Sequence, residues 1–161
     1  MSFRAVLAMT LAVVLAMTLA ASMLFQAAPA SARPAGKERL QRVAQERINA
    51  LRSDNRVRRV RRARGLTRSA SAYARYMLRR GYFGHLSTIR APRRYRSLGE
   101  IILMHRGGHG RPRLTVNNWA GSPGHRYVML TEKYRDVGVG KASGWFEGHQ
   151  VTIWVAHFGR R

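Results

Sequence analysis

Apolar positions along this chain first run together and then become periodic. From Ala5 to Phe25 they are almost uninterrupted, whereas beyond Lys37 polar residues separate them. Leu40, Val43, Ala44, Ile48 and Leu51 recur at three- and four-residue spacing, which puts them on one helical face and predicts a helix from Lys37 to the neighbourhood of Asp54 and Asn55. The next stretch sets Arg56, Arg58, Arg59, Arg61, Arg62 and Arg64 around Val57, Val60 and Ala63, a spacing compatible with a helix stripe or with a loop held by two apolar anchors. Thr67 is the expected N-cap of a second helix, Arg68 to Arg80, with Ala72, Tyr73, Tyr76 and Met77 turned to a core and Gly81 as its stop. Loops are expected around Pro92 and from Arg106 to Pro112, then a short helix from Arg113 to Ala120 that Ser122-Pro123-Gly124 breaks. Val137-Gly138-Val139-Gly140 and Val151 to Phe158 read as strands, with Ser143 to His149 as their connection. Helices precede strands without a regular alternation, so the pattern predicts a mixed α+β sandwich and not a parallel sheet.

The uninterrupted run has the marks of an export signal. Arg4 is the only charge before it, and it leads to Ala28-Pro29-Ala30-Ser31-Ala32, small residues of the kind a signal peptidase cuts. Residues 1–32 are therefore expected to be a leader cleaved after Ala32 or Ala30, with one domain over 33–161 working as a secreted or cell-surface protein. An uncleaved anchor is the alternative, because the run approaches the roughly 20 residues of a spanning helix. The chain has 161 residues and no cysteine, which excludes a disulfide framework, a thiolate zinc site and a thiol nucleophile.

Charge narrows the partners. Lys and Arg number 30 against 7 Asp and Glu, a formal net charge of +23, so the chain should attract polyanions: anionic lipid, phosphate-rich wall polymers, or nucleic acid through charge alone. Most of the cations are arginines, whose planar fork suits phosphate and carboxylate, and the six from Arg56 to Arg64 are the candidate contact. A general bias of composition towards arginine accounts for the same run.

Three segments carry candidate chemistry: Gly81-Tyr82-Phe83-Gly84-His85, Leu98-Gly99-Glu100-Ile101, and Trp119 through Ser122-Pro123-Gly124-His125-Arg126. Each sets a His or Glu beside glycine, where the backbone can turn a polar side chain into a cleft. Two imidazoles and a carboxylate suit a three-ligand metal site with an open position, or an acid and base pair. Taken singly, each His is as well explained by a surface or structural role, and Glu100 by pairing with an arginine. Other candidates are weaker. Gly138-Val139-Gly140-Lys141 ends like a phosphate loop, but Ala142 stands where Ser or Thr is needed. Ser122 lacks the Gly-x-Ser-x-Gly frame of a hydrolase. His105 and His109 are expected on a surface loop, and Tyr73, Tyr76, Tyr82, Phe83, Trp145 and Trp154 are spaced as core or strand residues.

The order of these segments resembles the CAP superfamily of cysteine-rich secretory proteins, antigen 5 and plant pathogenesis-related proteins, in its short bacterial members. The resemblance covers nearly all of 33–161: the helix with Arg47-Ile48-Asn49-Ala50-Leu51-Arg52, the second helix ending in Gly81-Tyr82-Phe83 and His85, Gly99-Glu100, Trp119 with Ser122-Pro123-Gly124-His125-Arg126, and Val137-Gly138-Val139-Gly140 with the strand to Phe158. It implies an α-β-α sandwich of the CAP/SCP type, with a broad cleft into which two histidines and two acids point. His85 and His125 match the histidines and Glu100 the acid of the family's Gly-Glu-Asn motif. Ser122 stands nearest the second acid, Trp119 lies on the helix that bears it, both are expected at the cleft, and Ile101 replaces the usual Asn. Members with both histidines can hold a divalent metal such as zinc, and some bind sterols, fatty acids or anionic phospholipids. The implied function is a ligand-binding module at the cell surface or wall, taking lipid or envelope glycopolymer, with a metal between His85 and His125 and Glu100 nearby. Two alternatives stay open: a metal-assisted or acid–base hydrolase of extracellular material acting through His85, Glu100 and His125, and a non-enzymatic polyanion-binding cationic protein.

Overall fold

The computed structural model describes residues 36–85 and 88–161. The leader expected over 1–32 and the start of the domain at 33 lie outside them. Helix α1, Gly36–Asp54, buries Ala44 and Ile48, as the periodicity predicts. The arginine run then realises the anchored loop: Val60 and Ala63 are buried while all six arginines are exposed. Asn49 fixes it, donating from Nδ2 to the Val60 carbonyl at 3.0 Å and accepting from the Val60 amide at 2.9 Å. Arg61–Arg62 forms a two-residue strand, β1, which was not expected.

Helix α2, Arg64–Arg80, starts three residues before Thr67, because β1 delivers the chain straight into it; Ala63 is the N-cap and makes no side-chain cap bond. Strand β2, Ser97–Arg106, takes in the first residue of the expected loop. Helix α3 is Pro112–Gly121, and Ser122 does break it, but Pro123 opens a further helix, α4, Pro123–Leu130, which the sequence reading lacked. Proline is tolerated there because a first-turn amide has no intrahelical acceptor. Strands β3, Asp136–Phe146, and β4, His149–Arg160, are joined by Glu147-Gly148 alone, with φ of 47° and 75° as a tight hairpin requires. The expected connection from Ser143 is thus mostly strand.

The sheet order is β1-β3-β4-β2, with β1 parallel to β3 and the other pairs antiparallel. One face packs Ala70, Tyr73, Ala74 and Met77 of α2 against Ile102, Ile153 and Val155. The other packs Ala44 and Ile48 of α1, Val116 and Trp119 of α3 and Met129 of α4 against Ile101, Val139, Trp154 and Phe158. The expected α-β-α sandwich is therefore the observed one. Helix cover on both faces explains why β4 reads as a continuous apolar run. Among the described residues, no helix is long and apolar enough to cross a membrane.

A cation stitches the lower layer. Arg52 is fully buried, and its guanidinium donates to the carbonyls of Arg58 at 2.7 Å, Met129 at 2.5 Å and Thr131 at 3.2 Å. Burial, and then the nearby Arg135, lowers its pKa from the usual arginine value. Carbonyl dipoles of the arginine loop and of the end of α4 thus take the place of a counter-ion and tie α1 to both.

Candidate functional site

Antiparallel pairing sets Glu100 of β2 directly opposite His157 of β4. Both lie on the face that α2 covers, since each is two residues from an apolar residue of that cluster, Ile102 and Val155 respectively. Glu100 Oε2 lies 2.7 Å from His157 Nε2, and its Oε1 lies 2.7 Å from His85 Nδ1. The carboxylate and His157 are almost wholly buried, whereas the His85 side chain is 55% exposed. Two imidazoles that are 72 residues apart in sequence therefore share one buried carboxyl group.

Hydrogen counting orders the protons. Ser69 Oγ has one hydrogen and donates it to the Arg90 carbonyl at 2.5 Å, so the 2.9 Å contact between Ser69 Oγ and His157 Nδ1 needs the imidazole as donor. His157 Nε2 then either donates to a Glu100 carboxylate or accepts from a Glu100 carboxylic acid, a pair with no net charge in both cases. His85 reaches Glu100 through Nδ1, which as the donor leaves its exposed Nε2 with a free lone pair.

Local structure explains how His85 arrives there. Gly81 ends α2 with φ 56°, its amide and that of Tyr82 returning to the carbonyls of Leu78 and Met77. Two tyrosines then pin the following turn: Tyr73 donates to the Gly84 carbonyl, and Tyr82 to the His85 carbonyl at 3.0 Å. Burial first, and then the Glu100 charge, pushes the Tyr73 phenol well above its ordinary pKa, so it stays a donor.

His125 sits in the first turn of α4, a helix that also contacts β2 at the sheet edge. Its pKa is lowered by burial and then by the charge of His85. Its Nδ1 is buried and has no hydrogen-bond partner among the described residues. The structure thus brings Glu100 and His85 into hydrogen-bond contact.

Other expectations need correction. Trp119, expected at the cleft, is wholly buried in the core, because the face of α3 that carries it packs on β4. Ser122 is half-buried between two helices, its amide bonded to the Trp119 carbonyl. Arg61 of the arginine run pairs at 3.5 Å with buried Asp136, a carboxylate that Arg161 and Tyr95 share. Tyr76, Tyr82 and Phe83 are exposed, whereas Tyr73 and Trp154 are core and Trp145, though exposed, lies in strand β3 as expected. His105 belongs to β2 and not to a surface loop.

The environment of His105 carries a pH prediction. Thr115 Oγ1 donates to the Arg111 carbonyl, so His105 must donate to Thr115 Oγ1, at 2.8 Å, from Nε2. Burial, and then Arg111, lowers its pKa, so the folded state binds its proton less readily than the unfolded chain does. The resulting stability is present above the unfolded value of about 6.5 and is lost as pH falls through the lower folded value. In urea titrations between those limits, His105→Gln should reduce the acid-side fall of the midpoint; an unchanged pH profile would contradict this assignment.

Sequence reasoning missed His157 and Ser69. A lone histidine inside the apolar run Ile153–Phe158 was the available signal, since a buried imidazole needs partners. Among the described residues, no group of three or more His, Asp or Glu side chains is placed to hold a metal ion. Imidazole and carboxylate are nonetheless donors of the type a divalent metal takes. Glu100 can orient His85 through Nδ1 as carboxylates orient metal-binding histidines, and His85 Nε2 with the His125 ring offers two nitrogens.

A model of the cysteine-rich secretory protein family, CAP, matches residues 45–158. A comparison with curated proteins found no match. Among solved structures, the chain is similar to an outer surface protein from Borrelia burgdorferi, with a TM-score of 0.64 and 17% identity, over 78% of this chain and 95% of that one. An extracellular protein containing an SCP domain from Bacillus anthracis gives a TM-score of 0.62 and 19% identity over 78% of this chain; the match spans 41% of that longer protein. NaASP2, solved with Zn2+, gives 0.59 and 14% identity over 74% and 78% of the two chains. At these identities the structures show a shared fold.

Proposed function

Because the chain belongs to the CAP family of cysteine-rich secretory proteins, we propose that it is an exported ligand-binding module at the cell surface or wall, with its site around Glu100, His85 and His125. One observation carries the preference for binding over turnover: Glu100 has both carboxylate oxygens engaged by imidazoles, 2.7 Å each. The neighbouring hydroxyls are spoken for as well, Ser69 and Tyr73 each donating to a backbone carbonyl. Such a floor is rigid and hydrogen-bonded, with its carboxylate oxygens and hydroxyl protons all engaged.

Binding to isolated cell walls and to anionic vesicles, followed across salt, tests this reading against one that rests on arginines alone. Raised salt should remove the contribution of the Arg56 to Arg64 run and leave a residual binding that His85→Ala weakens several-fold. Complete loss with salt and indifference to His85→Ala would favour the polyanion reading instead.

A divalent metal such as zinc would be held by His85 and His125, with Glu100 orienting His85. When bound, it supplies a positive centre for an anionic or carbonyl group of the ligand. Calorimetric titration with Zn2+ should show one equivalent bound, and His125→Ala should weaken it more than roughly tenfold. Unaltered zinc binding in His125→Ala would remove the metal from this account.

A further inference from the structure

We propose that the cavity on the α2 side of Glu100 is a subsite for a single acidic sugar ring, an inference that rests on the binding reading above and names its ligand class. The cavity measures about 280 Å3, with Glu100 and His157 as its floor and Tyr73, Tyr76, Arg79 and Arg90 among its walls. That volume lies at the small end of ligand cavities and suits one ring better than an extended acyl chain. Two larger surface grooves, beside Tyr127 and beside Leu114, contain none of these floor groups.

The walls select the ring. His157, Tyr73 and Tyr76 form a column of near-parallel rings, with centroids 6.4 and 6.1 Å apart and planes 25° and 22° from parallel. It runs from a buried imidazole to Tyr76, which is 37% exposed, so a flat aromatic surface reaches the cavity. The C–H face of a pyranose carries slight positive charge and meets the negative face of such a ring, while its hydroxyls remain free to hydrogen-bond.

The cations select the acid. Arg79 follows Tyr76 by three residues on the same face of α2, and Arg90 comes from the opposite loop. Neither has a carboxylate partner among the described residues. The buried charge of Glu100 does not oppose an anion here, because the hydrogen-bond pattern makes Glu100 and His157 a pair without net charge. Planar guanidinium forks fit a carboxylate or a phosphate on the sugar equally well. Ser69 joins floor to wall, touching His157 and donating to the Arg90 carbonyl, so the Arg90 wall is fixed before a ligand arrives.

The test is an amide NMR titration of the whole protein with glucuronate, glucose 6-phosphate, glucose and octanoate in parallel. At least one acidic sugar should shift the resonances of Ser69–Arg80 and Arg90, binding roughly tenfold or more tighter than glucose, a preference that Arg79→Gln and Arg90→Gln each reduce. The comparison of glucuronate with glucose 6-phosphate identifies the acid group. Tyr76→Leu should weaken every sugar, and Leu114→Ala, in the separate groove, should leave all of them unchanged. Equal binding of glucose and both acidic sugars, preference for octanoate, no shifts at millimolar ligand, or indifference to both arginine variants would each overturn the subsite. Wall binding that still depends on His85 would, in that event, leave the broader binding reading standing.

Discussion

Glu100→Ala is expected to destabilise the protein by about 3 kcal/mol or more, the usual consequence of leaving one member of a buried pair behind. The loss comes from the His157 side, where both groups are almost fully buried at 2.7 Å. The His85 side is half in water and adds little. Glu100→Gln should behave differently. With Ser69 fixing the proton of His157 on Nδ1, Nε2 can accept from a glutamine amide whose oxygen still accepts from His85. The glutamine variant should therefore retain most of the stability that alanine loses. Urea denaturation of the two variants reads the difference, and equal losses would mean that the pair is not hydrogen-bonded as described.

Gly140→Ala should cost as much or more, for a reason of packing alone. A Cβ at Gly140 would lie 2.2 Å from the Ser71 amide nitrogen and 2.3 Å from the Ala70 carbonyl carbon. At Gly138 it would lie 2.1 Å from the Thr67 nitrogen. These are backbone atoms of α2, so no rotamer change relieves the clash and the helix itself must lift off β3. Overpacking of a core typically costs about 1–3 kcal/mol, and a displaced helix places this case at or above the upper end. Gly124→Ala is the control: nothing lies within 4 Å of its would-be Cβ, and it sits in the first turn of α4. It should be neutral or stabilising by about 0.4–1 kcal/mol. Thermal midpoints of the three variants would show the contrast, and a well-folded Gly140→Ala would contradict the close approach.

Those glycines show how far the residues themselves were readable. Reading Val137-Gly138-Val139-Gly140 as strand, and not as a phosphate loop, was sound, yet the sequence holds no sign that the glycines serve a helix on the facing layer. Gly99 was read as a place where the chain turns; it lies within β2, and its missing side chain leaves room for the Tyr134 ring, whose hydroxyl would be 2.5 Å from a Cβ. Helix periodicity placed α1 and most of α2 because one face of each is apolar. It missed α4, since a Ser-Pro-Gly signal marks the end of one helix and the start of the next equally well. Trp119 was assigned to the cleft from motif position, and burial placed it in the core.

The site was legible in part for a similar reason. Glu100, His85 and His125 stood out as polar residues beside glycine within recognisable segments. His157 did not, because its partner is set by strand register, and register joins β2 to β4 across 57 residues. Ser69 was hidden in the same way on α2, where it occupies the cavity side of an otherwise ordinary helix.

Nitrogen NMR of the imidazole rings tests the shared carboxyl group most directly. His85 and His157 should both show their Glu100-bonded nitrogens shifting together in Glu100→Gln, with the proton of His157 Nδ1 retained and the other histidines unmoved. A change confined to one of these two rings, or to neither, would contradict a single carboxyl group holding both.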